Sequence, residues 1–481
     1  MSTEKYGVYA QLVKSIANTP ISTNTNVIFI GASPSGELNK PYLITSLSDY
    51  KAKLGGEPGD GYNLTEAAIA AFSIAGINQV YMIPVSNSLT FTASDYTGNA
   101  ALFTGVYAIE NLLRENPTTV NLLCAPSITD SSVITALNNI AKKADGHWVS
   151  FMVYDVAESA DQLNASNAVI VSEIVDDKQL NEEHADAVWG HVKTSGGYVI
   201  SGAAVRACLM AASDANYGVP ARCGGNLAVP GIQGVCYFKA DSFESDAFAS
   251  DASATVAVVQ NLTIDTNTID YDTFAVYAID DITTSSGEII TPKLVNNSGK
   301  LALEFKTGEA AVTGAVVSFT KTVDRMVAIT ESAGTQLSAD GICSWINYGG
   351  GNWRTWGDHT SAFSAGTVAD ERARYDSNIR MLIMLTNRFQ LKYRFSVDDP
   401  MTLTVRNDII QEENDYLAYL KSIGAVIGDA SCSFKAEDNP ADNIAVGQFV
   451  WSIEATITPP LKYAQLNVAY SSAGLSVYFA A

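Results

Sequence analysis

The chain has 481 residues, of which 47% are hydrophobic and 17% are charged, and its formal net charge is -22 at pH 7. Binding to nucleic acid or to an anionic membrane surface depends on a basic footprint, so this acidic balance argues against both as partners. The small charged fraction leaves little charge to cover a large free surface, which favours a surface partly covered by other molecules.

The sequence gives no sign of membrane insertion, secretion or metal binding. No run approaches the ~20 apolar residues of a membrane span, and the start MSTEKYGVYAQ lacks the apolar core of a secretory signal. We therefore expect a soluble protein that is made in the cytoplasm. Its six cysteines are scattered without a CxxC pair, which predicts reduced, buried side chains and neither a disulfide framework nor a zinc site. No cofactor is expected.

Residues 1–25 form a polar leader with one extended stretch, YGVYAQLV, and we interpret them as an N-terminal arm. From residue 26 onward, strands and helices alternate. NVIFIG predicts a buried strand, and SLSDYKAKLGG predicts a helix with Ser46 as its N-cap and an end at Gly55. The alternation continues through WVSFMVYDV, so we predict an α/β domain over 26–250 with a parallel or mixed sheet covered by helices.

The helical pattern disappears between about residues 252 and 322, where short β-rich runs are separated by Gly, Asn, Asp and Ser. This spacing predicts a small β-sandwich-like module, assigned to residues 251–322 and inserted into the α/β domain. Residues from about 323 to 365 are expected to complete the α/β domain, and residues 366–481 to form a C-terminal domain.

The C-terminal domain is predicted to hold two long amphipathic helices, one within DERARYDSNIRMLIMLTNRFQLKYRF and one within TLTVRNDIIQEENDYLAYLKSIGAV. Two strands, FVWSIEATIT and AQLNVAY, follow on either side of Pro459-Pro460. The end LSVYFAA is uncharged and β-prone, so a free tail of this kind would be a sticky edge. It is expected either to pair within its own domain or to join a sheet of another subunit.

The residues that could support catalysis are few. FIGASPSGEL lacks the lysine of a phosphate-binding loop and the glycine spacing of a nucleophile elbow, which favours a plain turn after a strand. In HADAVWGH a helix would place His184 and His191 two turns apart, so surface or capping roles are favoured over a metal site. The paired acids Asp398-Asp399 and Glu412-Glu413 flank helices and fit a solvated face or compensation of a helix N-terminal dipole. No nucleophile, base and orienting residue converge in the sequence.

The most unusual charge feature is a basic segment from Arg372 to Arg394 in an otherwise acidic chain. On one helix Arg380, Arg388 and Lys392 fall near a common stripe beside the apolar face. Two interpretations stay open for this stripe: a solvated face, or an electrostatic docking site for an acidic partner.

The stretch SWINYGGGNWRTWGDHTSAF combines three tryptophans with three successive glycines. The glycines suit a tight turn, which we place at a crossing between domains. Trp345, Trp353 and Trp356 are large enough to fill a seam there, and Arg354 could stack or pair. We therefore predict a domain junction at Trp353, Arg354 and Trp356.

Several segments, taken in order, resemble contractile tail sheath proteins of myovirus tails and related phage-tail-like particles. The similarity covers the α/β part and the C-terminal third and omits the β module. The segments are NVIFIGASPSGELNKPYLITSLSDYKAKLGG, AAIAAFSIAGINQVYMIPV, NLLCAPSITDSSVITAL, ISGAAVRACLMAASDANYGVPARCGGNLAVPGIQGV and LSADGICSWINYGGGNWRTWGDHT. One departure is Asp358-His359, which stands where a basic residue often precedes the threonine, and we assign no charged contact to that position.

The resemblance implies a structural, non-enzymatic subunit in the tail of a virion or of a phage-tail-like particle assembled in the host cytoplasm. Such subunits form helical homo-oligomers, with hexameric rings expected, around an inner tail tube protein and between baseplate and tail terminator proteins. Their terminal arms are donated to sheets of neighbouring subunits. The residues assigned to these inter-subunit arms are Tyr6, Val8, Leu475, Val477 and Phe479.

The same resemblance makes the helix with Arg380, Arg388 and Lys392 the candidate contact with an acidic tube surface. The rival hypothesis is a hydrolase-like α/β enzyme with the β module as a binding appendage. An enzyme would require convergent catalytic side chains, which the sequence does not offer.

Overall fold

A computed structural model describes residues 25–89, 92–115, 119–142, 150–164, 166, 168–244, 318–364, 374–473, 475 and 478, with short strand segments between 269 and 304. Residues 1–24 of the predicted arm and most of the predicted module at 251–322 lie outside the described residues. The domain boundaries proposed above therefore stay predictions.

The strands up to the predicted module are β1 Val27–Ala32, β2 Tyr42–Ile44, β3 Val80–Ser86, β4 Leu122–Cys124, β5 Phe151–Asp155, β6 Ala185–Val188, β7 His191–Thr194, β8 Val199–Ile200 and β9 Ile232–Glu244. Those that follow are β10 Ile269–Asp270, β11 Ala275–Val276, β12 Ile282–Thr283, β13 Ile289–Ile290, β14 Lys293–Asn297, β15 Lys300–Glu304, β16 Ser318–Val327, β17 Ile342–Asn347, β18 Trp353–Trp356, β19 Val426–Ser433 and β20 Ser452–Ile457.

The α-helices are α1 Leu47–Leu54, α2 Asn63–Ile69, α3 Ala93–Thr97, α4 Ile109–Glu115, α5 Ser131–Ala141, α6 Val171–Asp176, α7 Gly202–Tyr217, α8 Glu331–Ala339, α9 Asp376–Tyr393, α10 Leu403–Ser422 and α11 Ala441–Ala445. A π-helical segment, Ala70–Ala75, continues α2, and short 3-10 turns occupy Gly105–Ala108, Ala160–Gln162 and Arg394–Ser396.

An eight-stranded mixed sheet forms the centre of the molecule, in the order β18-β17-β6-β5-β4-β1-β3-β2. The six strands from β17 to β3 are parallel to one another, and the edge strands β2 and β18 are antiparallel to their neighbours. All residues of β1 and β3 are buried, as expected for parallel strands covered on both faces. Apolar cores lie on both sides of the sheet, so the predicted mixed sheet flanked by helices is confirmed.

The first predicted helix has the expected ends. The Ser46 side chain accepts a hydrogen bond from the Asp49 backbone N–H at 3.0 Å, which satisfies one of the free donors at the N-terminus of α1. Gly55 ends the helix in the left-handed region with φ 77, where a residue with a Cβ would be strained. Local residue chemistry therefore determines both ends of this helix.

A second, four-stranded antiparallel sheet has the order β16-β9-β7-β8. Its long strands β9 and β16 pair from Val235 with Val327 to Glu244 with Ser318, and they lead into and out of the predicted module. The helix considered for HADAVWGH is wrong, because these residues form β6 and β7. The segment is too short, and has too few apolar positions, for its pattern to distinguish a strand from a helix.

The C-terminal part consists of α9 and α10 with a two-stranded antiparallel sheet, β19-β20. A small apolar core joins them and includes Met381, Leu417 and Val426. The strand predicted within AQLNVAY is absent from the structure, where residues 464–470 follow no regular secondary structure and are exposed.

All six cysteines are free and buried, which confirms their predicted role as small apolar side chains. Within the part of the chain that the structure describes, no helix has the length and apolar character needed to cross a membrane.

Candidate functional site

The predicted junction residues belong to a β-hairpin at one edge of the large sheet. Ser344 pairs with Trp356 and Asn347 with Trp353, so β17 and β18 run antiparallel. Gly349, Gly350 and Gly351 form the turn with φ between 62 and 99, a region in which glycine is favoured. The tight turn was predicted correctly, and it joins two strands of one sheet. Its position at a crossing between domains stays a prediction.

The three tryptophans of this hairpin pack inside the α/β body, which is the part of the chain that precedes α9. Trp345 is fully buried, and its indole N–H donates to the Gly190 carbonyl at 3.1 Å. Trp356 is half-buried against α8, where a Cβ on Gly334 would lie 2.9 Å from its ring. Trp353 is half-buried near Gly234 of β9. The rings are therefore used by the sheet itself, and the assignment of Trp353, Arg354 and Trp356 to a domain junction stays a prediction.

Arg354 of the same hairpin contacts the loop that follows α7. Its guanidinium donates to the Asn226 carbonyl at 3.2 Å on the exposed surface. The backbone of residue 354 also forms a bridge with Ala228. Arg354 therefore holds the loop that follows α7 against β18.

The contact between the body and the C-terminal helices is charged and centres on Arg206 of α7. Its guanidinium donates to Asp186 of β6 at 2.7 Å and to Asp376, the first residue of α9, at 3.0 Å. It also donates to the carbonyls of Gly224 and Gly357 at 3.0 and 3.1 Å. All three charged side chains are fully buried. One arginine thus joins β6, α9 and two loops.

The electrostatics of this cluster follow from burial. Burial raises the pKa of the Asp376 carboxyl above its ordinary value, and the nearby Asp186 carboxylate raises it further while Arg206 opposes the shift. Burial alone would lower the pKa of Arg206, but the charge and hydrogen bond of Asp186 together with the charge of Asp376 raise it, so the guanidinium stays charged. The arrangement holds α9 in place as long as Arg206 is present to compensate the two acids.

Arg380, predicted to contact a partner, instead belongs to the same interior. It is 4% exposed and forms an ion pair with Asp214 near the end of α7. The Asp214 carboxylate also accepts a hydrogen bond from the Thr25 hydroxyl at 2.5 Å. An arginine that neutralises a buried carboxylate is not available on a surface, so the assignment of Arg380 to an exposed basic stripe is wrong.

Arg388 and Lys392 lie nearer the surface but share acidic partners on α10. Arg388 pairs with Glu413, and Lys392 pairs with Glu412 at 2.7 Å and with Glu413 at 3.5 Å. Glu413 is only 1% exposed, so its placement on a solvated face is wrong. The ion pairs of Arg388 and Lys392 with these acids stabilise the packing of α9 against α10. The sequence could not show these pairs, because the acidic residues lie about 20 residues further along the chain.

Asp358 follows the hairpin and carries a charged contact that was not expected there. Its carboxylate is buried and accepts from the Lys462 ammonium, just after β20. No charged contact was assigned to Asp358-His359 from the sequence, and the structure shows one at Asp358. The missing signal was a lysine more than 100 residues later in the chain.

The chain after β20 exposes apolar side chains. Leu466, Val468 and Tyr470 are 85%, 83% and 83% exposed. Of the residues assigned to inter-subunit arms, Leu475 is 51% exposed, while Tyr6, Val8, Val477 and Phe479 lie outside the described residues. An apolar segment of this exposure is unusual for a chain that stays alone in water.

A polar cluster that the sequence did not reveal lies where the carboxyl ends of β4 and β5 meet the second sheet. Ser127, in the left-handed region at φ 55, has its hydroxyl 3.2 Å from His191 Nε2. His191 Nδ1 lies 2.8 Å from Glu158. The spacing resembles a Ser-His-Glu arrangement. These residues come from separate elements, so only the tertiary structure brings them together.

The protonation states of this cluster argue against nucleophilic catalysis. Burial alone would lower the pKa of His191, but Glu158, Asp155 and Glu66 raise it to about 9, so the ring is a cation at neutral pH. A protonated imidazole cannot accept the Ser127 proton. The hydroxyl donates to Glu66 at 2.5 Å. Within the residues described here, no group of three or more His, Cys, Asp or Glu side chains is arranged to hold a metal ion.

No family model matches the chain. The tail sheath protein of Escherichia phage P2 is 26% identical over 126 residues. The matched segment spans 26% of this chain and 30% of that relative.

Solved structures match over almost the whole chain. The sheath complex of the extracellular contractile injection system PVC, in its contracted state, has a TM-score of 0.58 at 14% identity and covers 98% of this chain and 99% of that one. The contracted helical sheath of the anti-feeding prophage (AFP) has a TM-score of 0.55 at 15% identity and covers 98% and 100%. The resemblance to contractile tail sheath proteins is thereby confirmed, and the chain has the contractile sheath fold.

Proposed function

We propose that this chain is a structural subunit of a contractile tail sheath. It polymerises helically around an inner tail tube and contracts to drive the tube through the envelope of a target cell. The observation that supports this proposal most directly is the exposed apolar segment after β20, next to a two-stranded sheet, in a chain with the sheath fold.

The geometry of that segment suits β-strand addition. Leu466, Val468 and Tyr470 alternate along the chain, so an extended backbone would present all three on one face. The sheet β19-β20 has two strands in the part of the chain described, and each strand has a neighbour on one side. A neighbouring copy of this chain could add its segment to such an edge through backbone hydrogen bonds. Backbone ladders of this kind can persist while whole subunits rotate.

The proposed partners follow from the same role. They are further copies of this chain in hexameric rings, an inner tail tube protein, and baseplate and tail terminator proteins. The arm residues Tyr6, Val8, Leu475, Val477 and Phe479 are proposed to contact neighbouring copies. The particle would be a virion tail or a phage-tail-like particle assembled in the host cytoplasm.

The proposed tube contact is narrower than the three residues assigned from the sequence. Arg380 is removed from it, because its charge is used inside the protein. Lys392 and Arg388 remain candidates for the tube contact. They lie near the C-terminal end of α9, and both side chains are partly exposed. Contacts made there would be screened by salt and weak enough to break on contraction.

The enzyme alternative finds no support. The phage P2 relative and the PVC and AFP structures described above are sheaths, and His191 of the Ser127-His191-Glu158 arrangement is protonated at neutral pH.

The first test is the removal of residues 463–481. We expect the shortened chain to fold, because the exposed segment 463–470 contributes little burial. Electron microscopy should show that it no longer forms long tubes with or without the tube protein, while the full chain does. Normal tubes from the shortened chain would contradict exchange of the C-terminal segment.

A further inference from the structure

The start of the exposed C-terminal segment is held at two points. Thr458 donates through its N–H to the Ala425 carbonyl at 3.2 Å and through its hydroxyl to the Gly424 carbonyl at 2.6 Å. Four residues later the Lys462 ammonium pairs with the Asp358 carboxylate. Pro459 and Pro460 lie between these points and have fixed φ angles, so this connection is stiff.

Beyond Lys462 the described chain has no further attachment to the body up to residue 470. All residues from 463 to 470 are exposed. The side-chain hydrogen bonds described there are local, from Tyr463 to Gln465 and from Gln465 to Asn467. Lys462 is therefore the last described point before residue 470 at which the body can influence where the segment goes.

The acceptor of this ion pair is rigidly placed. Asp358 is 4% exposed, and its carbonyl accepts from the Asp376 N–H at 3.0 Å. The preceding carbonyl, of Gly357, accepts from Arg206 at 3.1 Å. A Cβ on Gly225 would lie 3.0 Å from the Asp358 Cβ, so the loop has little room to move. The position of Lys462 is thus linked to the buried charge cluster around Arg206.

The two partners of the pair differ in exposure. The Lys462 side chain is 40% exposed and the Asp358 side chain 6%. Lys462 also lies 5.7 Å from the centre of the Tyr375 ring, at a distance suited to a cation–π contact. Loss of the lysine charge would leave a buried carboxylate without this partner, which is more costly than the loss of a surface pair.

We propose that the Asp358–Lys462 ion pair is a clasp that sets the direction in which residues 463–473 leave the body. Lys462 is a positioning residue, and the partner it serves is a second copy of this chain. The clasp determines where the segment meets that copy. This inference rests on the proposed function, because it assumes that the segment is exchanged between subunits.

The clasp can be tested in the isolated full-length chain in dilute solution. Spin labels at Asn467→Cys and Ser195→Cys, both exposed positions, report the distance between segment and body. The six native cysteines are buried, so labelling favours the introduced ones. In Lys462→Met, which keeps the aliphatic stem, the fraction of molecules outside the main distance peak should rise about tenfold, equivalent to the loss of about 1.4 kcal/mol.

Two variants serve as controls for this measurement. Lys462→Arg keeps the charge and should restore the wild-type distribution. Lys435→Met removes a lysine that pairs with Glu454 at 2.5 Å in an exposed position, and it should leave the distribution unchanged. A wild-type distribution in Lys462→Met would overturn the clasp.

Assembly separates the failure of the clasp from the failure of the proposed function. If removal of residues 463–481 leaves tubes intact, exchange of the segment is wrong, whatever Lys462→Met does in the isolated chain. If removal abolishes tubes but Lys462→Met forms tubes of wild-type length and helical order, the clasp alone is wrong. We expect removal to abolish tubes and Lys462→Met to form fewer, less ordered ones.

Discussion

The α/β body and the C-terminal segment treat apolar residues in opposite ways. Every residue of β1 in the body is buried, whereas Leu466, Val468 and Tyr470 in the segment are more than four-fifths exposed. The body therefore has the contacts it needs within one chain. The segment has the composition of a buried strand and lacks a covering layer, so its contribution to stability is expected only in an assembly.

The largest effect should come from the body's buried charge cluster. Arg206→Met removes the cation that pairs with both Asp186 and Asp376 in the interior, which should lower the free energy of unfolding by about 3–5 kcal/mol. Thermal and urea denaturation of the full chain would measure this.

The matched control is Arg222→Met, at an exposed arginine over the Tyr217 ring. It should change the free energy of unfolding by less than about 0.5 kcal/mol. If both substitutions lowered the free energy of unfolding equally, the buried ion pairs of Arg206 would not stabilise the body more than a surface arginine does.

A smaller effect on the free energy of unfolding is expected from His191. This residue of β7 joins the second sheet to the loops that follow β4 and β5. Its folded pKa of about 9 lies above the ordinary value of 6.5, so its stabilisation is complete below about pH 6.5 and is lost as pH rises through about 9. The groups that face it are Glu158, Asp155, Glu66 and Ser127. His191→Gln should lower the free energy of unfolding at pH 6 by about 1–3 kcal/mol and flatten its decline between pH 6.5 and 9.

The Glu66 carboxyl also makes the free energy of unfolding fall as pH rises, at lower pH than His191 does. Burial raises the pKa of its carboxyl to about 7 from 4.5, so its protonated form favours the folded state and this contribution is lost between about pH 4.5 and 7. A parallel profile for His191→Gln and wild type would contradict a charged His191.

The smallest effect on the isolated chain should come from the exposed segment. Leu466→Ser, Val468→Ser and Tyr470→Ser together should change the free energy of unfolding by less than about 0.5 kcal/mol, because the side chains are already in water. The same variant should form few or no tubes in electron micrographs.

Leu123→Ser in β4 gives the contrast within the body. Leu123 is fully buried, so this single change should cost more than about 3 kcal/mol. A marked loss of stability in the triple variant would mean that the segment folds back onto its own chain.

The sequence by itself determined the local structure and the general type of fold. Ser46 and Gly55 specify the ends of α1 because capping depends on neighbouring residues. The alternation of apolar strands and amphipathic helices predicted a covered mixed sheet for the same reason, since periodicity is a local property. The apolar character of the C-terminal end was also evident.

Only the tertiary structure decided the partners of charged side chains. Arg380 meets Asp214 166 residues away, Lys462 meets Asp358 104 residues away, and His191 meets Ser127 64 residues away. The order of strands in the sheets sets these pairings, and no local pattern encodes it. The basic stripe in the sequence therefore showed where the positive charges are. It could not show which of them pair with buried carboxylates and which are exposed, because this depends on the element that packs against each side chain.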